Sequence, residues 1–124
     1  SRGFKSRPLR MKIIKNKIYF AELKKITQSR FGNLIKAVID IKKKILVIDA
    51  DLHSDEEALL LSQGSSQENL WGINLYPDLY NQTDFIEFDS MINLRPSFGN
   101  KTRGVDDPKI RLIIKGIVNK LIVK

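Results

Sequence analysis

The chain has 124 residues, of which 42% are hydrophobic and 29% are charged, and these values are typical of one soluble globular domain. It contains no cysteine, which excludes disulfides, zinc ribbons and thiol catalysis and is consistent with a reducing compartment. No apolar run is long enough to span a membrane, and the first ten residues lack the apolar core of a signal peptide. We therefore predict a cytoplasmic protein that has no membrane association.

The formal net charge is +8, which suggests an anionic partner such as nucleic acid. Half of the excess comes from Arg2, Lys5, Arg7 and Arg10, whereas the chain from Met11 onward has 18 basic and 14 acidic residues. We interpret residues 1–10 as a basic leader, either a disordered tail or a remnant upstream of a natural start at Met11. Residues 11–124 are predicted to form the single domain.

The first half of the domain predicts a strand, a helix and a hairpin. "MKIIKNKI" is a short strand-like run, and "YFAELKKITQSRFG" has apolar residues at helical spacing before Gly32. We therefore predict a helix over residues 20–31. "LIKAVIDI" and "ILVIDAD" are rich in β-branched residues, and the lysines at 42–44 between them predict a hairpin with a basic tip.

The second half predicts a short helix, two strands and a long helix. In "HSDEEALLLSQGSS", Ser54 and Glu57 have the spacing of a capping box. "ENLWGINLYP" and "FIEFDSMINLRP" predict two antiparallel strands, because "DLYNQT" between them is turn material. Pro108 suits the first position of a helix over residues 108–123, and Ile113 and Ile117 belong to the stripe that we expect to be buried against the sheet.

This order of elements predicts an α+β fold. We expect a single domain with an antiparallel sheet of about four or five strands and two main helices on one face. The other face of the sheet would meet solvent or a partner, and a functional site is expected there.

Long stretches of the chain resemble a known family. They are "LHSDEEALLL", "QENLWGINLYP", "IEFDSMINLRPS" and "RGVDDPKIR", and they are similar to a domain-of-unknown-function family of short bacterial and archaeal proteins. The resemblance runs from Met11 to the end of the chain. It implies a small, stand-alone prokaryotic-type protein with no assigned activity, so no site residue is implied by it.

Polar residues on the two predicted strands form the first candidate site. If side chains alternate between faces, Asn74 and Glu87 share the open face with the candidate ligand-binding residues, which are Tyr76, Asp89, Asn93 and Arg95. Arginine would bind a carboxylate or phosphate, and tyrosine would stack or donate. The alternative is a solvated outer face with cross-strand pairing of acidic and basic side chains.

The segment "IDADLHSDEE" suggests two kinds of chemistry. Asp49, Asp51, His53 and Asp55 alternate and could hold Mg²⁺ or Mn²⁺, but acidic residues also belong in the first turn of a helix, so we predict no metal and no cofactor. His53 is the only histidine. It could act as the acid or base of a small hydrolase or nuclease, with Asp89 or Glu57 as its partner. Arg95 or Arg103 would then stabilise the developing negative charge.

The loop "RPSFGNKTRG" is the last candidate site. Pro96 and two glycines would let Arg95, Asn100 and Arg103 converge on an anion, although the spacing of a P-loop is absent. The main hypothesis is a binding module for RNA or for a phosphorylated or carboxylated small molecule. The alternatives are the hydrolase and a self-associating protein that uses an exposed edge strand or Trp71, and the loop itself could be only a connection.

Overall fold

The structure is a computed structural model that describes residues 10–30 and 32–124, so the interpretation of the leader falls almost entirely outside the described residues. The elements are β1 (Lys12–Ile14), β2 (Ile18–Tyr19), α1 (Phe20–Ser29), β3 (Ile35–Asp40), β4 (Ile45–Ile48), α2 (His53–Ser62), β5 (Leu70–Leu75), β6 (Ile86–Glu87), α3 (Pro108–Leu121) and β7 (Ile122–Val123). Five strands form one antiparallel sheet in the order β1-β4-β3-β5-β6, and β2 pairs with β7 in parallel. The predicted α+β fold and strand number are confirmed.

The hairpin of β3 and β4 has the predicted basic tip although its turn contains no glycine. Lys44 takes a left-handed conformation with a φ of 59°. The side chain of Asp40, at the end of β3, accepts hydrogen bonds from the backbone N–H groups of Lys42 and Lys43 at 2.9 Å each. An aspartate that binds the backbone ahead of it therefore closes a turn for which the sequence lacked the usual signal.

Helices α1 and α3 pack on the same face of the sheet, as predicted. Leu23 of α1 and Ile114 of α3 are completely buried in one apolar cluster with the sheet residues Ile39 and Ile73. Ile117 is buried as expected, with 7% of its surface exposed.

The prediction for Ile113 was wrong, because this side chain is 46% exposed. The buried stripe of α3 consists of Ile114, Ile117, Val118 and Leu121. Ile113 precedes Ile114 by one residue and so lies roughly 100° around the helix from it.

The opposite face of the sheet was predicted to be open, and this was wrong. Helix α2 covers part of it, and Val38, Val47, Leu60 and Leu70 form a second, smaller core there. The buried stripe of α2 is His53, Glu56 and Leu60. Since two of these three residues are polar, hydrophobic periodicity did not reveal the packed side of this helix.

Two local predictions around α2 and β6 also failed. Helix α2 begins at His53 after Leu52, without any side-chain cap, so the predicted capping box does not form. The predicted strand "FIEFDSMINLRP" pairs only over Ile86–Glu87 and then turns through short 3₁₀ segments at Met91–Asn93 and Pro96–Phe98. The expected alternation of faces is therefore lost, and Asn93 is buried while Leu94 is exposed.

Asn93 explains why strand pairing stops. Its Oδ1 accepts from the N–H of Gly72 at 2.8 Å and its Nδ2 donates to the carbonyl of the same residue at 3.0 Å. A Cβ on Gly72 would lie 2.5 Å from Oγ of Ser90, so only glycine leaves room for this turn. One amide side chain thus takes the place that a longer β6 would occupy beside β5.

Candidate functional site

A cavity of about 230 Å³ lies where α2 begins, over the part of the sheet that the helix does not cover. Lys36 and Asn74, which are direct cross-strand neighbours in β3 and β5, line it. The start of α2 and the segment after β6 supply its other polar walls, which are His53, Ser54, Asp89 and Arg103. Three residues predicted from the sequence, namely His53, Asp89 and Arg103, are therefore brought together.

The cavity has an excess of positive charge. Nε of Arg103 donates to Oδ1 of Asp89 at 2.8 Å, and in residues 10–30 and 32–124 no side chain or backbone group bonds the two terminal nitrogens of Arg103. Lys36 is half-buried and makes no ion pair with any residue that the structure describes. One carboxylate thus faces two cations, and the cavity retains one positive charge.

The ring of His53 is held in one orientation. Its Nε2 lies 2.8 Å from the carbonyl oxygen of Ile73, and since a carbonyl only accepts, Nε2 carries the proton. Burial lowers the pKa of His53, and the nearby Lys36 and Arg103 lower it further, against the opposing effect of the carbonyl and Asp89. The ring is therefore neutral at neutral pH, and Nδ1 has a free lone pair.

The start of α2 offers backbone donors to the cavity. Its N-cap residue is Leu52, which has no side chain able to accept from the first turn, and Leu52, His53 and Ser54 all line the cavity. The first N–H groups of any helix lack partners within the helix, and the helix dipole makes this end favourable for anions.

Asn74 lies on β5, which has β3 on one side and β6 on the other. Its Nδ2 donates to Oε1 of Glu87 at 2.9 Å, and the hydroxyl of Tyr76 donates to the same oxygen at 2.9 Å. Burial and the contact with Glu87 raise the pKa of Tyr76. Oδ1 of Asn74 is buried and has no hydrogen-bond partner among the described residues.

Asn93 and Asn100 bond to the backbone instead of facing the cavity. Nδ2 of Asn100 donates to three carbonyl oxygens, those of Asn93, Thr102 and Gly104, at 2.8, 3.1 and 2.8 Å. Its Oδ1 accepts from the N–H of Asp106 at 2.8 Å. These contacts fix the loop that presents Arg103.

Arg95 and Arg103 do not converge. The guanidinium of Arg95 stacks on the ring of Trp71, 4.3 Å from the centroid, and donates to the carbonyl of Gln67. It is 8% exposed, and burial lowers its pKa. Arg103 instead pairs with Asp89 in the cavity, so the hypothesis of two arginines on one anion fails.

The acidic candidates for a metal site point in different directions. Asp49 and Asp51 both bind the guanidinium of Arg30, whereas His53 bonds to Ile73. Asp55 is exposed. Within the described ranges, no group of three or more histidine, aspartate or glutamate side chains is arranged to hold a metal ion.

Two polar residues on the α2 side of the sheet were not identified as candidates from the sequence. Lys36 interrupts the apolar run "IKAVID", and a lone lysine inside a central strand was a usable signal. Glu56 is fully buried, its Oε2 accepts from the N–H of Ala50 at 3.1 Å, and burial raises its pKa to about 9. Glu57, the predicted acidic partner of His53, instead accepts from Gln67 at 3.4 Å and does not line the cavity.

Comparison with known proteins supports the resemblance seen in the motifs. Among the described residues, no helix combines the length and apolar character needed to cross a membrane. No curated protein and no solved structure matches this chain. A family model described as "Protein of unknown function (DUF5674)" matches residues 12–121, which is nearly the whole chain, and the protein therefore belongs to this family.

Proposed function

We propose that the protein binds a small anionic molecule, through a carboxylate or phosphate group, in the cavity at the start of α2. The observation that carries this proposal is that Lys36, Arg103 and the uncapped N-terminus of α2 all line one cavity. Three independent sources of positive potential at one concave site are an arrangement typical of anion binding. Only Asp89 opposes them, and it is already paired with Arg103.

The size of the cavity favours a small molecule over RNA. Its volume of about 230 Å³ is below the range of about 300–1,000 Å³ that is usual for drug-sized ligands. RNA would instead need an extended basic surface with stacking rings. Half of the net charge that suggested RNA comes from residues 1–10, and residues 11–124 have 18 basic and 14 acidic side chains.

Titration with inorganic phosphate and with acetate, followed by NMR of the backbone and side chains, tests the proposal. Shifts should concentrate at Lys36, Ser54 and Arg103, and Lys36→Gln should weaken binding about tenfold or more because it removes an unpaired charge. Lys120→Gln, a change of the same charge on the exposed side of α3, serves as the matched control.

Equal weakening by the two changes would show a diffuse charge effect and would refute a site at α2. Tight, salt-sensitive binding of single-stranded RNA with no shifts at the cavity would favour the nucleic-acid hypothesis instead.

A second candidate function is hydrolysis of a phosphate ester, favoured by the oriented, neutral His53 beside Asp89 and Arg103. Nδ1 of His53 would take a proton from water as the water oxygen bonds to phosphorus, and Arg103 would offset the growing negative charge. The ester P–O bond would break with its electron pair leaving on the alcohol oxygen, which would then take up a proton from the imidazolium or from solvent. Release of p-nitrophenol from its phosphate monoester and diester measures this. Activity that survives His53→Gln unchanged, or no activity above buffer, would rule the hydrolase out.

A further inference from the structure

One of the residues that line the cavity carries a polar atom that the described part of the protein leaves unsatisfied. Asn74 is 6% exposed, it lines the cavity, and its Oδ1 is buried without a hydrogen-bond partner in the part of the chain that the structure describes. Leaving a buried acceptor unpaired is unfavourable, so such atoms in folded proteins almost always bind something. The ligand is the natural partner at this position.

The orientation of the amide is fixed by its other end. Nδ2 donates toward the β6 side, to Oε1 of Glu87 at 2.9 Å and to the carbonyl of Asp89 at 3.4 Å. These groups are acceptors, so they require the amide nitrogen on their side. Oδ1 therefore points away from β6, toward the side of β5 on which Lys36 is the cross-strand neighbour.

A second acceptor belongs to His53, another residue that lines the cavity. Since Nε2 of His53 donates to the carbonyl of Ile73, only Nδ1 remains, and no group among the described residues bonds it. The cavity thus combines two cationic side chains with two acceptors that lack donors. A fully ionised anion without a hydroxyl group, such as acetate, satisfies the cations but offers nothing to the acceptors.

This inference rests on the proposed function. We propose that the ligand carries a hydrogen-bond donor, either a hydroxyl or an N–H group, next to its anionic group. Oδ1 of Asn74 accepts a hydrogen bond from that donor. The chemical class is that of hydroxy acids, amino-bearing acids and phosphate esters of polyols. Lys36 and Arg103 bind the charge, while Asn74, assisted by Nδ1 of His53, selects for the neighbouring donor.

Matched pairs of probes test this inference on the full chain. Acetate is compared with glycolate, and ethyl phosphate with 2-hydroxyethyl phosphate, by NMR titration of the unmodified protein. The hydroxylated member of at least one pair should bind about tenfold more tightly, because it satisfies a buried acceptor that its partner leaves unpaired. The side-chain amide resonances of Asn74 should shift only with the hydroxylated probe.

Asn74→Leu, which keeps the approximate shape but removes the acceptor Oδ1 together with the Nδ2 donor to Glu87, should reduce the preference for the hydroxylated probe to within about twofold. If this variant does not fold, the comparison of probes on the unmodified protein decides alone. Equal affinities within both pairs, together with binding at Lys36 and Arg103, overturn the inference and leave the anion site standing. Absence of binding by all four probes overturns both.

Discussion

The two faces of the central sheet are built in different ways. The face under α1 and α3 is apolar throughout, and its cluster of buried side chains runs from Ile14 to Ile122. Among the described residues, the face under α2 has four fully buried apolar residues with partly buried apolar side chains around them, and it also carries polar groups such as Lys36, Asn74, His53 and Glu56. The first face resembles an ordinary core, whereas the second combines a small core with a polar cavity.

This difference separates stability from function. Buried apolar area stabilises a fold in rough proportion to its size, and the large cluster under α1 and α3 supplies most of it. Burying polar groups is unfavourable unless they are bonded, so a protein that retains them on one face has a use for them. The α2 face is therefore where binding is expected, and the opposite face is where unfolding is expected to begin when it is damaged.

The largest expected effect is on the apolar face. Ile117→Asp should destabilise the domain by at least about 4 kcal/mol, because it places an unpaired carboxylate where 93% of the side chain is buried. Ile113→Asp is the matched control on the same helix, and since Ile113 is 46% exposed its effect should stay within about 0.5 kcal/mol. Urea denaturation measures both, and similar losses would contradict the position of α3.

The sequence predicted the apolar face much better than the polar one, for a physical reason. Helix α3 has one apolar stripe and a proline at its start, so its period and its boundary could be recognised directly. The buried side of α2 contains His53 and Glu56, and no periodicity of apolar residues marks it.

The conformation of the loop after β6 could not be predicted, for a related reason. Its residues alternate like those of a strand, yet the side chain of Asn93 bonds both backbone groups of Gly72 and ends the pairing. A long-range bond from one amide leaves no local pattern in the sequence. His53, Asp89 and Arg103 were recognised as chemically capable, but their convergence depends on this unexpected turn.

Asn93→Ala should give the next largest effect. The N–H and carbonyl of Gly72 would lose the partner they have now, whereas the carbonyl of Arg103 would keep its bond from the N–H of Ser90, and a loss of about 2–4 kcal/mol is expected. Hydrogen exchange should accelerate most at Gly72. Leu94→Ala is the control, since Leu94 is the exposed neighbour. Slow exchange retained at Gly72 in the variant would show that Asn93 is not what ends the strand pairing.

Glu56 gives the α2 face a dependence on pH. Burial raises its pKa to about 9 from 4.5, so in the folded protein the carboxyl is protonated at neutral pH while in the unfolded chain it is ionised. Folding then takes up a proton, and this contribution to stability declines as pH rises from about 4.5 to about 9, with a limiting slope of about 1.4 kcal/mol per pH unit.

Glu56→Gln should remove this dependence, because glutamine stays neutral. The free energy of unfolding of the variant, relative to that of the unmodified protein, should rise by about 2 kcal/mol between about pH 5 and about pH 8. This rise is smaller than the limiting slope would give over the same interval, because a buried carboxylate is partly rehydrated. Urea denaturation of both proteins at the two pH values measures this difference in the free energy of unfolding. A constant difference would mean that Glu56 is ionised when folded, with a partner that the hydrogen bond from Ala50 does not reveal.

The smallest effect on stability, and the one most specific to the cavity, is expected for Arg103→Ala. The side chains of the pair are 56% and 44% exposed, and such surface pairs contribute at most about 1 kcal/mol, so the melting temperature should barely change. Binding of phosphate should nevertheless fall about tenfold, because the terminal nitrogens of Arg103 are the groups left over for a ligand. Arg95→Ala is the informative contrast: it removes the stack on Trp71 and the bond to Gln67, and should lower stability without affecting phosphate. The reverse pattern, with stability lost at Arg103 and phosphate binding lost at Arg95, would exchange the roles of the two arginines and move the anion site away from α2.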